Sequence, residues 1–199
     1  DLPTGRKGHI PTSKFYDRFY PNGGWRSTTI ISNSIGQGEV SMTPIQLANM
    51  MATIANRGYY YTPHIIKRIK GRTIDRKHFD PIVNGLFDVY NHGTAYGLGV
   101  PGLEICGKTG TAENFAKING KRVQLEDHSE FVAFAPRIQP KIAIAVIVEN
   151  GHYGNTWAGP IATLMIEKYL NKKITRKDLE KRMLEGNLNY QYRKLYQSK

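Results

Sequence analysis

The chain has 199 residues, 40% hydrophobic and 22% charged, enough for one globular domain with a real core. Twenty-eight Lys and Arg against sixteen Asp and Glu leave a net charge of +12, which favours polyanionic surroundings, yet no recognisable nucleic-acid module accompanies it. A single cysteine, Cys106, excludes an intrachain disulfide and a cysteine-cluster metal site, and the longest apolar run, Ile142 to Val148, is too short to cross a bilayer.

Residues 1 to 27 are rich in Gly, Pro, Lys, Arg and Tyr and show no sustained period. They read as an irregular connection pinned by Phe15, Tyr16, Phe19, Tyr20 and Trp25. Ser27 to Ile35 reads as a short extended piece that stops at Gly36-Gln37-Gly38. Thr43 is a good N-cap, with Pro44 at the first helical position and Gln46 placed to complete a capping box. Ile45, Leu47, Ala48, Met50, Met51, Ala52, Ile54 and Ala55 then predict a core helix ending at Arg57-Gly58, in which the methionines serve packing. Tyr59 to Ile69 is expected to be extended and peripheral. Asp80-Pro81 opens a second helix, with Ile82, Val83, Leu86, Phe87 and Tyr90 on one face, broken by His92 to Gly97.

The central stretch is Leu103 to Asn114. Alternating Leu103 and Ile105 predict a strand that runs on through Gly107-Lys108-Thr109-Gly110. A glycine inside a strand marks a place where another backbone comes close. Lys108 supplies a fixed charge, Thr109 and Thr111 supply hydroxyls, and Gly110 is expected to leave the strand edge bare. Such a surface suits an extended peptide ending in a carboxylate. Gly102 to Thr109 also matches the phosphate-cradling pattern G-x-x-x-x-G-K-[ST]. That loop must open a helix, whereas Gly110, Asn114 and a polar turn region follow here, so a nucleotide-binding protein is the alternative reading.

Asn119-Gly120 signals a tight turn at the tip of a long connection. Ser129 to Ala135 is a second strand, stopped by Pro136. Lys141 to Glu149 is a third, whose nearly continuous apolar character places it at the centre of a sheet with helices on both faces. The three make an antiparallel meander crossed by a helix over residues 158 to 170, which defines an α/β (α+β) fold. Thr175 to Leu184 is a short amphipathic helix closed by Gly186, followed by a tail expected to be disordered. Residues 1–170 thus form the main body and 171–199 a basic helix and tail, with nine Lys/Arg against three Asp/Glu. A non-catalytic basic module that binds a wall polymer is a further alternative. The six histidines have no zinc spacing, and no metal or cofactor is expected. Asp127-His128-Ser129 is not a triad, because adjacent residues cannot converge on one reacting atom.

Asp1-Leu2-Pro3, Ser32 to Gly38, Thr43 to Ala48, Gly93-Thr94-Ala95, Gly107 to Glu113, Asp127-His128, Phe134-Ala135-Pro136 and Glu149-Asn150-Gly151 occur in the order seen in class B penicillin-binding proteins. The chain resembles the cell-elongation branch of that family from Asp1 to about Leu170. The resemblance implies the C-terminal part of a transpeptidase domain with the serine β-lactamase-like fold. It also implies a reaction: a serine attacks the carbonyl of a D-Ala-D-Ala stem peptide, and the acyl group passes to an amine on a neighbouring peptide. By the same resemblance Lys108 and Thr111 are the catalytic positions. Lys108, Thr109, Gly110 and Thr111 bind the substrate, and the Thr111 N–H forms half of an oxyanion hole. The implied partners are the peptidoglycan stem peptide, β-lactam antibiotics and elongation-machinery proteins, with no nucleic acid. The implied location is the periplasmic face of the bacterial inner membrane.

The family's nucleophile lies in a Ser-x-x-Lys motif, and none occurs in these 199 residues. The chain is therefore expected to be inactive alone, with the serine, any anchor and two further strands encoded before Asp1. The Lys141 to Glu149 edge would then be open to self-association.

Overall fold

The computed structural model describes residues 5–63 and 71–190. In chain order the elements are α1 (Ser13–Phe19), α2 (Ser27–Ser34), α3 (Pro44–Ala55), β1 (Tyr59–Tyr61), β2 (Gly71–Thr73), α4 (Phe79–His92), β3 (Cys106–Ala112), β4 (Phe115–Ile118), β5 (Lys121–Gln124), β6 (His128–Ala135), β7 (Ile142–Val148), α5 (Ala158–Asn171) and α6 (Lys177–Glu185). The main sheet is antiparallel in the order β3-β6-β7, so β6 is its middle strand. Two hairpins stand apart from it, β1-β2 and β4-β5, the second closed by Asn119 (φ 49°) and Gly120 (φ 80°) as the Asn-Gly signal requires.

The sheet is buried between helices. On one face α5 packs against β6 and β7, and Ile105, Phe131, Ala133, Ala135 and Ile144 meet Ala158, Ala162 and Ile166. On the other, Cys106 and Phe134 meet Met51 and Ala55 of α3 and Val83 of α4. Phe131, Phe134, Ile105 and Ile166 are fully enclosed. Each such side chain contributes about 1.5–3 kcal/mol relative to exposure.

Several expectations change. The stretch read as irregular contains α1, begun by Thr12, whose hydroxyl accepts from Phe15 N. Phe15 and Phe19, and Tyr16 and Tyr20, stack at helical spacing with centroids 4.7 and 6.3 Å apart, although Phe19 and Tyr20 stay exposed. Ser27 to Ser34 is helical rather than extended and buries no residue. What holds it is tertiary: Asn33 Nδ2 donates to the Tyr16 hydroxyl (2.7 Å), which donates to Glu39 (2.8 Å). The capping box on α3 is present as expected. Its core face is narrower than the sequence implies, since Ile45 is 60% exposed, and Arg57 lies beyond the helix at φ 58° rather than in its last turn. The Tyr59 to Ile69 segment begins as β1, while residues 64–70 lie outside the described residues.

Strand β7 is apolar as expected, with α3 on one face and α5 on the other. Among the described residues no strand pairs with its outer side, as expected of an edge left open in this chain. Apolar content reports burial of the two faces; it carries no information on a lateral neighbour. Gly186 follows α6 in an extended conformation, where the Trp157 ring leaves no room for a side chain. Residues 191–199 of the basic tail lie outside the described residues.

One buried ion pair ties the C-terminal helices to the loop before β3. Glu167 is completely enclosed. Its Oε1 accepts from Thr175 N (2.8 Å) and Thr175 Oγ1 (2.6 Å), and its Oε2 from Arg176 Nε (2.9 Å). Arg176 Nη1 reaches on to Leu98 O (3.1 Å), which also accepts from the Tyr90 hydroxyl (2.7 Å). Burial pushes the Glu167 carboxyl up, but the Thr175 bonds and Arg176 outweigh it and hold the group below its ordinary value. Its contribution is therefore present above the unfolded pKa of about 4.3 and is lost as pH falls through the folded pKa. Glu167→Ala is expected to lower stability by about 3–5 kcal/mol, because Arg176 keeps its charge without the carboxylate; urea unfolding at neutral pH measures the loss.

Candidate functional site

The site is built on β3, which pairs with β6 from Cys106↔Phe134 to Ala112↔His128. Among the described residues no strand pairs with its other side. Residues 106–112 are thus a sheet strand and not the start of a helix, which overturns the phosphate-loop alternative over Gly102 to Thr109.

The outward backbone groups can be assigned from what they bind. Thr111 O accepts from Gln37 Nε2 at 3.0 Å, and Thr109 O accepts from Lys108 Nζ at 2.7 Å. In an antiparallel pair a residue either exchanges both its main-chain hydrogen bonds with its opposite number or turns both away. Thr109 and Thr111 turn theirs away from β6. They line the free margin with alternating N–H and C=O groups, the arrangement that accepts an added extended peptide.

Side chains alternate between the faces of the sheet, and this divides the four expected site residues. Lys108 and Gly110 share a face with Glu130 and Val132 opposite them, whereas Thr109 and Thr111 share the α5 face with Phe131 and Ser129. Lys108 is exposed, and the other three are half-buried. The two threonines do not stand alone. Thr94, in the loop after α4, places its Oγ1 2.6 Å from Thr109 Oγ1. Gly154 packs so closely that a Cβ there would lie 2.7 Å from Gly110 O and 2.9 Å from the Thr109 Cβ, and would also meet Glu130 O.

The structure corrects the expectation that Gly110 leaves the margin bare. A Cβ on Gly110 would meet the Glu130 side chain, with Oε2 at 2.9 Å, so the glycine makes room on a sheet face. The openness of the margin comes from the lack of a neighbouring strand among the described residues. Gln37, Thr94, Glu130 and Gly154 were given no role by the sequence. Only the glycines around Gln37 and the Gly93-Thr94 pair offered a local signal, and contacts between residues 74 or 15 positions apart have no periodic signature.

Neighbouring polar groups are committed to structure. Ser129 is buried, donating to Tyr153 O (2.8 Å) and accepting from Ala158 N (3.1 Å). His128 Nδ1 accepts from Asn150 N (3.1 Å). Among the described residues no group of three or more His, Cys, Asp or Glu could hold a metal ion, and no helix is long and apolar enough to cross a membrane.

Residues 2–167 match the family of the penicillin binding protein transpeptidase domain. A peptidoglycan D,D-transpeptidase, MrdA of Acinetobacter baumannii, is 36% identical over 201 residues, covering 89% of this chain and 29% of the relative. The chain spans between 29% and 31% of the length of the first curated relatives it matches. Among solved structures, PBP2 of Helicobacter pylori in complex with MreC aligns with a TM-score of 0.69 at 28% identity, covering 84% of this chain and 32% of that one. The ceftriaxone acyl-enzyme of penicillin-binding protein A from M. tuberculosis aligns with a TM-score of 0.60 at 28% identity over 70% of this chain and 35% of that one.

Cys106, two residues before Lys108, is buried, with its Sγ 3.7 Å from Val83 O. Burial pushes its thiol up to about 11, against the opposing pull of Arg137 and Arg57. The thiolate is the reactive form, so iodoacetamide at neutral pH is expected to leave the folded chain unmodified and to label it in urea, with intact mass as the readout.

Proposed function

The chain belongs to the penicillin-binding protein transpeptidase domain family, and from that premise we propose that it supplies the strand wall of a peptidoglycan D,D-transpeptidase site. The observation that carries the proposal is the outward main-chain row of Thr109 and Thr111 on β3, flanked by the Lys108 ammonium.

A D-Ala-D-Ala stem peptide lies extended along this margin and takes main-chain hydrogen bonds from it as an added strand. The Lys108 charge and the Thr109 and Thr111 hydroxyls receive its terminal carboxylate, with Thr94 setting the Thr109 rotamer. The acylating serine comes from a Ser-x-x-Lys segment outside these 199 residues. When its oxygen attacks the penultimate carbonyl, charge develops on the carbonyl oxygen, and the Thr111 N–H, already aimed outward, stabilises it. A donor in that position is typically worth about 3–4 kcal/mol in the transition state. The C–N bond to the terminal D-alanine then breaks, and the acyl group remains as a serine ester until an amine takes it.

β-Lactams present a ring amide and a carboxylate in the same relation, so the same margin binds them. The ceftriaxone acyl-enzyme of the M. tuberculosis relative supports this, and the MreC complex of the H. pylori relative supports an elongation-machinery partner for the protein that contains this chain. The work is done at the cell wall, outside the cytoplasm. The open side of β7 is covered by a strand of the same transpeptidase. In its absence the 199-residue chain self-associates through that edge.

In the transpeptidase that carries this chain, Lys108→Ala is expected to slow acylation by penicillin about 100-fold or more, followed by the rate of covalent adduct formation. An unchanged rate rejects the assignment. The 199-residue chain by itself is expected to form no stable penicillin adduct by intact mass; an adduct would show that the nucleophile lies within it.

A further inference from the structure

We propose that the Glu130 carboxylate is the counter-ion that receives the ammonium group of the acceptor strand. The inference rests on the transpeptidase reading and adds to it the recognition of the second substrate, an amine.

Glu130 lies on β6 opposite Gly110, on the sheet face that carries Lys108. Its side chain leans over β3. Glu130 Oε2 stands 2.9 Å, and its Cδ 3.7 Å, from where a Cβ on Gly110 would be. An alanine at 110 would push the carboxylate off the strand that holds the donor. With glycine there, the carboxylate lies over the residue that joins Thr109 to Thr111.

Among the described residues Glu130 forms no ion pair or side-chain hydrogen bond. Lys108, diagonally across the same face, gives its Nζ to Thr109 O. His128, two residues back on the same strand face, has its Nδ1 engaged by Asn150 N. The other residues beside Glu130 on this face, Ala112, Val132 and Ile147, carry no charge. Burial raises the carboxyl's pKa, against a smaller lowering by His128. A half-buried carboxylate without a partner is costly to keep, and beside a reactive strand it is a candidate for function.

An ammonium on a flexible stem matches this environment, since it is compact, carries several donors and loses its proton readily when desolvated. The donor peptide occupies the margin of β3, while Glu130 addresses the face next to it. The two substrates therefore approach the same acyl carbon from different directions. The ammonium passes one proton to the Glu130 carboxylate, and the free amine attacks the acyl carbon. The new C–N bond forms, the C–O bond to serine breaks, and the second proton leaving nitrogen goes to the serine oxygen. Glu130 then returns its proton to water.

The test measures how the acyl-enzyme partitions, in the transpeptidase that carries this chain, using a thioester donor and Nα-acetyl-lysine as the amine. The ratio of aminolysis to hydrolysis is counted per acyl-enzyme, so it does not depend on how fast acylation occurs. Glu130→Gln is expected to lower that ratio about tenfold, the loss typical of one charged hydrogen bond, and Glu130→Asp to restore part of it. With methanol as a neutral acceptor the ratio of methanolysis to hydrolysis is expected to stay as in the wild type. A Glu130→Gln ratio equal to wild type overturns the proposal, as does an equal fall with methanol, which would mark a structural role. If the wild type forms no acyl-enzyme at all, the transpeptidase reading falls and this inference with it; if it does and the variants partition alike, only the acceptor assignment falls.

Discussion

The structure depends on β3 being paired, among the described residues, along one side only. Its inner side is in register with β6 over seven residue pairs, from Cys106 to Ala112, alternate pairs exchanging hydrogen bonds, and that ladder keeps the strand extended. The outer side then presents Thr109 and Thr111 at fixed spacing, with side chains rather than a strand answering their carbonyls. An exposed strand edge is a hazard, since any extended chain can pair with it. Here Lys108 and Gln37 occupy the acceptors singly. A side chain bonded at one point is displaced more cheaply than a paired strand, so a peptide that brings several main-chain bonds can take its place.

Holding such a strand straight requires support from behind. Phe131 and Ala133 on β6 and Ala158, Ala162 and Ile166 on α5 make a close-packed floor, and the segment at Gly154 seals one end of it by approaching the backbone directly. A second tether is electrostatic. Glu167 fixes Arg176, Arg176 and Tyr90 both bind Leu98 O, and the loop between α4 and β3 is thereby held where Thr94 can reach Thr109. A buried pair of this kind adds little net stability compared with an apolar replacement. Its value lies in fixing the polar end of a loop whose Ala95, Leu98, Val100 and Ile105 are already packed into the core.

The twofold alternation of a strand gives β3 two chemical surfaces. On the α5 side Thr109 and Thr111 stand over a packed floor, and the Thr109 hydroxyl meets that of Thr94. On the other side Lys108 and Glu130 bring opposite charges to one face without pairing, because Lys108 turns to the margin and Glu130 leans over Gly110. The pleat of one strand thus separates the two threonine hydroxyls from the Lys108 and Glu130 charges.

Much of this was written locally. The Thr43 cap with Pro44 and Gln46, the β6 and β7 strands, the α5 helix and the Asn119-Gly120 turn all follow from short-range sterics and period, and the Lys-Thr-Gly segment identified its strand. The aromatic spacing of Phe15, Tyr16, Phe19 and Tyr20 carried the α1 helix as well, although glycine and proline around it masked the period. Other features had no local cause. Ser27 to Ser34, rich in β-branched residues, is helical and is tied to α1 through Asn33 and Tyr16, and which strand lies beside β7 is set by pairing partners rather than by its own apolar run. Gln37 reaches Thr111 and Glu130 reaches over Gly110 only once the chain has folded back on itself. Pattern along a chain reports which faces are buried and which turns are allowed; it cannot report which distant polar group meets another, since that is decided by the packing of the layers between them.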